Sequence, residues 1–375
     1  MASPTDPRTR DDTGWMRAAL ALARRGLGTA APNPAVGCVL VRDGRAVGRG
    51  WTQPGGRPHA EAEALVRAGE RARGATAYVT LEPCAHHGQT PPCAEALIAA
   101  GIARCVAAAE DPDERVAGRG LEMLRRAGVE VTTGVLAGEA EALAAGHILT
   151  RRQDRPLVSL KLATTLDGRI ATAGGESQWI TGPEARAQGH LLRATHDAVL
   201  IGSETALRDD PQLNVRLPGL EMRRPLRVVL DRRLRLPPSH KLVATAAAHP
   251  TLVLTLEGHA DQALAPLHAA GVVVETLPGE GRVEDALRLL AARGVTRVLA
   301  EGGAALAAAL LRAGCVDRLY WFRAASVIGG DGLAGVAELG VARLAQAKRF
   351  RRLAVTPLGA DLLESYVLES GGPEA

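Results

Sequence analysis

Aromatic residues are nearly missing from this 375-residue chain, where Trp, Tyr and Phe together make up 2%. Its cores must therefore be built from Ala, Val and Leu, and an apolar fraction of 46% is enough for that. A base-stacking platform for single-stranded nucleic acid needs aromatics, and none is evident. Lysine is just as scarce: Lys161, Lys241 and Lys348 stand alone among arginines. The net charge of +4 from 45 basic and 41 acidic residues suits a small anionic substrate. No nucleic-acid partner is expected. Five cysteines, two of them in a metal-ligand pattern, do not suggest a disulfide framework. No apolar run reaches membrane-spanning length, and MASPTDPRTRDDTG lacks the apolar core of a signal peptide. A soluble, cytoplasmic chain with no membrane partner is the expectation. The Gly302-Gly303 turn between a strand and the helix starting near Ala304 lacks the full Gly-x-Gly-x-x-Gly fingerprint, which argues against a standard Rossmann domain.

What is present reads as two α/β domains. Residues 1–12 are polar and expected to fray. Thr13 reads as a helix cap before Trp15, Met16, Ala19, Leu20, Leu22 and Ala23 at helical spacing. Asn33-Pro34 turns into a buried strand at 36–41, and Asp43-Gly44 signals a hairpin to a return strand beginning at 46–48. A helix is expected from His59, a strand at 77–81, a helix from Cys93, a strand at 104–109 and a helix at 121–127. Residues 137–155 are helical and charged and read as the linker, with the division drawn between domains 1–147 and 148–375. Further strands are expected at 157–162, 198–201, 227–230, 251–254 and 297–300, with helices between them and no internal repeat.

The chemistry concentrates between His59 and Cys93. His59-Ala60-Glu61 is followed by Pro83-Cys84 and then Cys93. One imidazole and two thiolates form a zinc ligand set that leaves the fourth tetrahedral position open. A zinc held there would bring the pKa of a water down towards ~7. That water could attack an amidine-like ring carbon, with Glu61 carrying the proton to the ring nitrogen and the leaving ammonia, as in zinc deaminases. The competing reading is a closed structural site with His86 or His87 as fourth ligand, which leaves Glu61 without a purpose. Cys38 and Cys105 sit in apolar strands and read as core.

The usual Cys-x-x-Cys spacing is replaced here by an eight-residue insert, Ala85-His86-His87-Gly88-Gln89-Thr90-Pro91-Pro92. With Asn33-Pro34-Ala35-Val36-Gly37, Glu82-Pro83-Cys84, Asp111-Pro112 and Gly118-Arg119-Gly120, this half resembles the deaminase half of the bifunctional riboflavin-biosynthesis deaminase–reductases. The resemblance implies a cytidine-deaminase-like α/β/α domain and one zinc per chain. It implies hydrolytic deamination of 2,5-diamino-6-ribosylamino-4-pyrimidinone 5′-phosphate, with Asn33, His86 and Asp111 at the substrate. From the residues alone Asn33 is an ordinary turn residue. Thr52 and Gln89 stand where the family usually has His and a basic residue, and Asp113 where it has Asn. The first two departures remove possible phosphate contacts.

The second half resembles the reductase half of the same family. The resemblance rests on Lys161-Leu162-Ala163-Thr164-Thr165-Leu166-Asp167-Gly168-Arg169, Gly175-Glu176-Ser177-Gln178-Trp179-Ile180-Thr181-Gly182, Gly202-Ser203-Glu204-Thr205, Asp209-Asp210-Pro211, Leu213-Asn214-Val215-Arg216 and Glu301-Gly302-Gly303. It implies a dihydrofolate-reductase-like α/β domain that reduces the ribosyl group to ribityl with NADPH. By the same resemblance Ala163, Trp179, Thr205, Asp209, Gly302 and Gly303 line the cofactor. Ser177, Arg193, Leu213, Arg216 and Glu301 hold the substrate, and Lys161 lies near the ribose. Arg193 and Arg216 suit phosphate because a guanidinium matches its geometry. Ordinary alternatives are solvated arginines and a Trp179 that only packs. Ala145-Gly146-His147-Ile148-Leu149 stands where an Asn and a Phe are usual, a departure read as bearing on domain packing rather than catalysis. A homo-oligomer is expected, and a paralogue with one half inactive or altered in substrate is the alternative function.

Overall fold

The structure is a computed structural model that describes residues 7–87, 91–113 and 117–369, with side chains from Asp12 onward. The chain divides into two compact units, Met1–Asp154 and Arg155–Ala375. Among the described residues no helix is long and apolar enough to cross a membrane.

The first unit runs α1 (Pro7–Ala23), β1 (Gly37–Arg42), β2 (Arg45–Trp51), α2 (Ala60–Ala68), β3 (Thr76–Val79), α3 (Cys93–Ala99), β4 (Arg104–Ala107), α4 (Arg119–Arg126), β5 (Glu130–Thr133) and α5 (Ala137–Gln153). Its five-stranded sheet has the order β2-β1-β3-β4-β5. β1 is antiparallel to β2 and β3, and the remaining pairs are parallel. Asp43 and Gly44 both take positive φ, 50° and 68°, the left-handed pair that closes a two-residue hairpin. Cys38, paired with Gly50, and Cys105 are fully buried, as expected.

Two expectations are corrected here. Thr13 is not a cap: α1 begins at Pro7, and a proline fits the first helical turn because its missing N–H has no partner there anyway. Asp12 is buried and anchored, since Tyr78 donates to it at 2.8 Å and Arg104 grips both its oxygens at 2.8 Å. The fraying expected of residues 1–6 lies outside the described residues. Residues 137–155 are not a linker either. α5 runs unbroken through 147/148 and belongs to the first unit, because Ala140, Ala144, Gly146 and His147 give it a buried face.

The second unit contains β6 (Leu157–Thr164), β7 (Arg169–Ala171), α6 (Pro183–Ala194), β8 (Ala198–Gly202), α7 (Ser203–Asp209), β9 (Leu226–Leu230), α8 (Lys241–Ala244), β10 (Thr251–Thr255), α9 (Asp261–Ala269), β11 (Val273–Thr276), α10 (Val283–Ala292), β12 (Arg297–Ala300), α11 (Ala304–Arg312), β13 (Arg318–Arg323), β14 (Leu333–Ala334), β15 (Phe350–Leu358) and β16 (Asp361–Leu368). The nine-stranded sheet has the order β11-β10-β9-β8-β12-β6-β13-β16-β15, parallel as far as β13 and antiparallel beyond it. Valine and leucine fill both faces of its central strands, as a sheet covered by helices requires. The C-terminal ends of β8, β12 and β6 are neighbours, which brings Gly202, Glu301 and Thr164 to one edge.

α2, which carries the His59–Glu61 corner, lies directly on β2. A Cβ at Gly50 would meet the Ala60 carbonyl at 2.1 Å, and one at Gly48 the Ala64 carbonyl at 2.2 Å. Only hydrogen at these positions lets the helix backbone approach so closely. Gly50→Ala should therefore push α2 outward, destabilise the first unit by about 2–3 kcal/mol and weaken zinc retention. Denaturant unfolding together with metal content checks this, and an unchanged midpoint with full zinc would contradict it.

Candidate functional site

His59 precedes α2 in an extended conformation (φ −70°, ψ 161°), and Glu61 lies in the first helical turn. Cys93 opens α3, its N–H donating to Cys84 Sγ at 3.2 Å, while Ala94 N–H donates to the Cys84 carbonyl at 3.2 Å. His59 Nδ1 lies 3.3 Å from Cys93 Sγ and 3.7 Å from Cys84 Sγ, and all three donor atoms fall within 4.8 Å of one another. Tetrahedral zinc would place such neighbouring donors roughly 3.5 Å apart, so the set fits the ion. Among the described residues no fourth ligand joins the group. His87 turns instead to Glu95 at 3.4 Å, and His86 Nδ1 is buried without a hydrogen-bond partner.

The electrostatics suit the donor set. Hydrogen bonding from Cys93, and then from His59, draws the Cys84 thiol down to about 4. Burial pushes the Glu61 carboxyl up to about 7, against the pull of His59. Glu61 is 3% exposed, and the neighbouring Cys93 offsets part of the shift that burial imposes on it.

Around this centre the chain builds a second layer. Asn33 Nδ2 donates to the Gly56 carbonyl at 2.8 Å and lies 3.3 Å from His59 Nε2, so Asn33 stands beside the ligand imidazole and is more than a turn residue. Thr52 is buried; it donates to the Pro34 carbonyl and accepts from Val36 N–H, both at 2.9 Å, so it pins the Asn33-Pro34 turn. Gln89 lies outside the described residues. Asp111 is buried, with Oδ1 accepting from Asp113 N–H at 2.9 Å and facing His147 Nε2 at 3.2 Å. Sequence reasoning quoted Glu82 without giving it a role. Its buried carboxylate accepts from the N–H groups of Asp111, Gly118, Gly120 and Leu121 at 3.3, 2.9, 3.0 and 3.3 Å. Its place two residues before a ligand was the available signal.

In the second unit Glu301 follows β12 and forms a bidentate pair with Arg193 at 2.6 and 2.8 Å. Burial raises the Glu301 carboxyl, but the Arg193 guanidinium outweighs it and holds the group at about 2. Arg193 thus has its fork filled by a carboxylate, while Arg216 is exposed and, among the described residues, held by Gln212 Oε1 at 3.2 Å. Lys161 lies 5.5 Å from the Phe322 ring centroid; burial lowers its pKa while Glu301 opposes the shift. Thr205 Oγ1 accepts from Gly303 N–H at 3.0 Å. A Cβ at Gly303 would meet only Thr205 Oγ1, at 3.4 Å, whereas one at Gly302 would lie 2.7 Å from Leu306 Cδ2. Packing explains Gly302 but not Gly303, and the space before Gly303 fits a cofactor pyrophosphate.

Lys161, Arg193, Thr205, Gly302, Gly303 and Glu301 are thereby brought together by direct contacts or neighbouring charges. Leu213 is buried with φ 50°, in the loop carrying Arg216. Ala163 lies on β6 packed against the cluster of Leu299, Phe322 and Leu363. Trp179 is 66% exposed under the Arg186 guanidinium, 4.7 Å from its centroid; Ser177 shares its loop, and Asp209 ends α7 on the surface. Among the described residues no hydrogen bond or ion pair joins these last three to the Glu301 cluster.

Two residues were missed. His190, one turn before Arg193, approaches the Asn214 carbonyl at 3.1 Å, which Arg193 Nη1 also reaches at 3.1 Å. Arg227 is fully buried without a carboxylate and donates to the Gln212 carbonyl at 3.2 Å, fixing the loop that carries Arg216. Burial lowers its pKa to about 10. A lone Arg opening a strand carries no signal of this.

Residues 156–363 match the family described as RibD C-terminal domain, and residues 9–109 match the cytidine and deoxycytidylate deaminase zinc-binding region. The riboflavin biosynthesis protein RibD of Escherichia coli (strain K12) is 42% identical over 362 residues, covering 94% of this chain and 98% of that protein. The chain belongs to the RibD family. The RibD of Aquifex aeolicus (strain VF5) is 41% identical over 352 residues, covering 94% and 97% of the two chains. Among solved structures, Acinetobacter baumannii RibD superposes with a TM-score of 0.87 at 39% identity, covering 96% of this chain and 100% of that one. The Thermotoga maritima diaminohydroxyphosphoribosylaminopyrimidine deaminase/5-amino-6-(5-phosphoribosylamino)uracil reductase gives 0.84 at 34%, covering 96% and 99%. The two-domain α/β architecture is thus that of RibD, a zinc-binding deaminase region followed by a RibD C-terminal domain.

Purified protein kept reduced should hold one zinc per chain. Cys84→Ser and His59→Ala should each lower zinc affinity by at least about 100-fold, since each removes one of only three protein ligands. Metal analysis after dialysis against a chelator checks this, and full zinc in either variant would contradict it.

Proposed function

We propose that this chain performs two steps of riboflavin biosynthesis. The first unit deaminates 2,5-diamino-6-ribosylamino-4(3H)-pyrimidinone 5′-phosphate by hydrolysis. The second reduces the ribosyl side chain with NADPH to give 5-amino-6-ribitylaminouracil 5′-phosphate. The observation that carries this reading is Glu61, a buried carboxyl against a three-donor zinc site with an open fourth position.

Zinc, when held by His59, Cys84 and Cys93, supplies the Lewis acidity that makes water a nucleophile near neutral pH. Glu61 takes that water's proton and delivers it to the ring nitrogen and the departing ammonia, a role that suits a buried carboxyl beside the three donors. Asn33, His86 and Asp111 orient the pyrimidine. In the second unit NADPH, when bound, supplies the hydride. Ala163, Trp179, Thr205, Asp209 and the Gly302-Gly303 turn hold the cofactor, and Ser177, Leu213, Lys161 and Glu301 position the ribose. Arg216 takes the phosphate, with Arg193 acting through Glu301, whose carboxylate it keeps ionised. A homo-oligomer and a cytoplasmic location belong to the same reading. Leu353 and Val355, 47% and 46% exposed on edge strand β15, support the first.

Turnover of the diaminopyrimidine phosphate with and without NADPH, followed by mass, tests both steps; release of only one product change would mean that one half has another substrate. Glu61→Gln should lower deamination by about 10²–10⁴-fold with zinc retained and reduction of the deaminated intermediate unchanged. Near-normal deamination would remove Glu61 from the mechanism. In the second unit, Arg216→Ala should raise the substrate KM by roughly 10–100-fold with little change for NADPH, because a charge-assisted contact to phosphate is lost. Gly303→Val should do the reverse, since its side chain would fill the pyrophosphate space. Equal shifts of both ligands in both variants would overturn the site.

A further inference from the structure

We infer that His147 is a positioning residue of the deaminase site: it holds one oxygen of Asp111 so that the other is presented to an N–H group of the aminopyrimidine. The inference rests on the reading of the first unit given above.

His147 lies on α5, 6% exposed, on the face that also buries Ala140 and Ala144. Its Nε2 is 3.2 Å from Asp111 Oδ1, the same oxygen that accepts Asp113 N–H at 2.9 Å. Oδ1 therefore has two partners, and Oδ2 has no hydrogen-bond partner among the described residues. One turn further along α5, Arg151 Nε reaches Asp113 Oδ2 at 3.3 Å, so the helix grips both carboxylates of this loop. The opposite side of the loop is tied to the metal ligands, because Asp111 N–H donates to Glu82, two residues before Cys84.

His147 Nδ1 is buried and has no partner. A histidine kept only for packing or a hydrogen-bond network would be expected to satisfy both ring nitrogens. Here the geometry uses one, and that one faces a carboxylate, so it must donate. The donated hydrogen bond removes the freedom of the Asp111 carboxylate to rotate, and a fixed acceptor binds a directional N–H donor better than a rotating one. A phenylalanine would fill the same space and leave Asp111 without that partner.

The experiment compares His147→Phe and His147→Gln in the full chain. The Phe variant should raise the deaminase KM by roughly 10–100-fold, with kcat changed less than about threefold, zinc at one per chain and reductase turnover unchanged. The Gln variant, whose side-chain amide can still donate near the Nε2 position, should recover most of the loss. In an Asp111→Asn background His147→Phe should add little, because the two act as one unit. A Phe variant with the parental KM would overturn the inference. So would a fall in kcat and zinc together that Gln does not restore, which would mark His147 as purely structural. Histidine ring ¹⁵N spectra of the full chain supply a readout independent of turnover: the His147 signals should move in Asp111→Asn, and unmoved signals would refute the pairing. A parental chain that fails to deaminate would count against the functional reading of the unit, while these spectra would still decide the pairing.

Discussion

Four main-chain N–H groups converge on one buried carboxylate, Glu82. Without it, the loop from Asp111 to Leu121 would bury donors with no acceptor, a cost of about 1–3 kcal/mol for each group. The same device recurs in the second unit. Asp197 accepts from Thr296 and Arg297 N–H at 2.8 and 2.9 Å, and Asp167 from Ile328 and Gly329 at 3.3 and 2.7 Å. Asp317 accepts from Val158 at 2.8 Å while Arg155 grips both its oxygens. Glu82 and Asp167 act beyond the C-terminal ends of β3 and β6, whereas Asp197 and Asp317 tie together the N-terminal ends of β8, β12, β6 and β13 on the opposite edge of the sheet. Asp167 shows the electrostatic consequence: hydrogen bonds from Thr165 and the loop N–H groups hold its carboxyl at about 2.

A chain with so few aromatics must gain core density in another way. It does so by bringing backbones together. Alanines on α1 and α2 and glycines on β1 and β2 let helix and sheet approach to hydrogen contact, as at Gly50 against Ala60. Packing of this kind leaves little slack. The His59–Glu61 corner starts at that contact, so the position of the proton carrier relative to the zinc ligands follows from the absence of a side chain on the neighbouring strand.

Elements with a strong period or a strong turn signal were legible in the sequence. The Asp43-Gly44 hairpin, the helix from Cys93 and the β12–Glu301-Gly302-Gly303–α11 junction all fall where expected. The ligand triad was legible because metal chemistry restricts residue type and spacing so tightly. Of the missed strands, which also include β7, β13, β14 and β16, three fail for identifiable reasons. β5 and β11 have only four residues each, with both end residues exposed. β15 is exposed along nearly its whole length, so no apolar alternation marks it. α5 read as a linker because its charged positions dominate its composition, although one face is buried. His190 and Arg227 could not be found from local pattern, since each acts on partners distant in sequence.

The Arg193–Glu301 pair explains why the substrate phosphate, on the reading proposed here, belongs to Arg216. Burying two opposite charges brings little net stability, and breaking the pair would strand one of them. What the pair provides is an ionised carboxylate at a fixed point beside Gly302, where a neutral acid would otherwise be favoured by burial. A carboxylate there can accept hydrogen bonds from sugar hydroxyls but would repel a phosphate. The phosphate must then be met by the cations that Glu301 has not neutralised. Arg216 is exposed. Burial, then the Arg193 charge and then that of Arg216, lowers the pKa of His190 one loop away. On the proposed reading, the sugar meets a fixed acceptor at its hydroxyl end and a positive group at its phosphate end, a polarity that suits one orientation of the ribosyl chain across the strand ends.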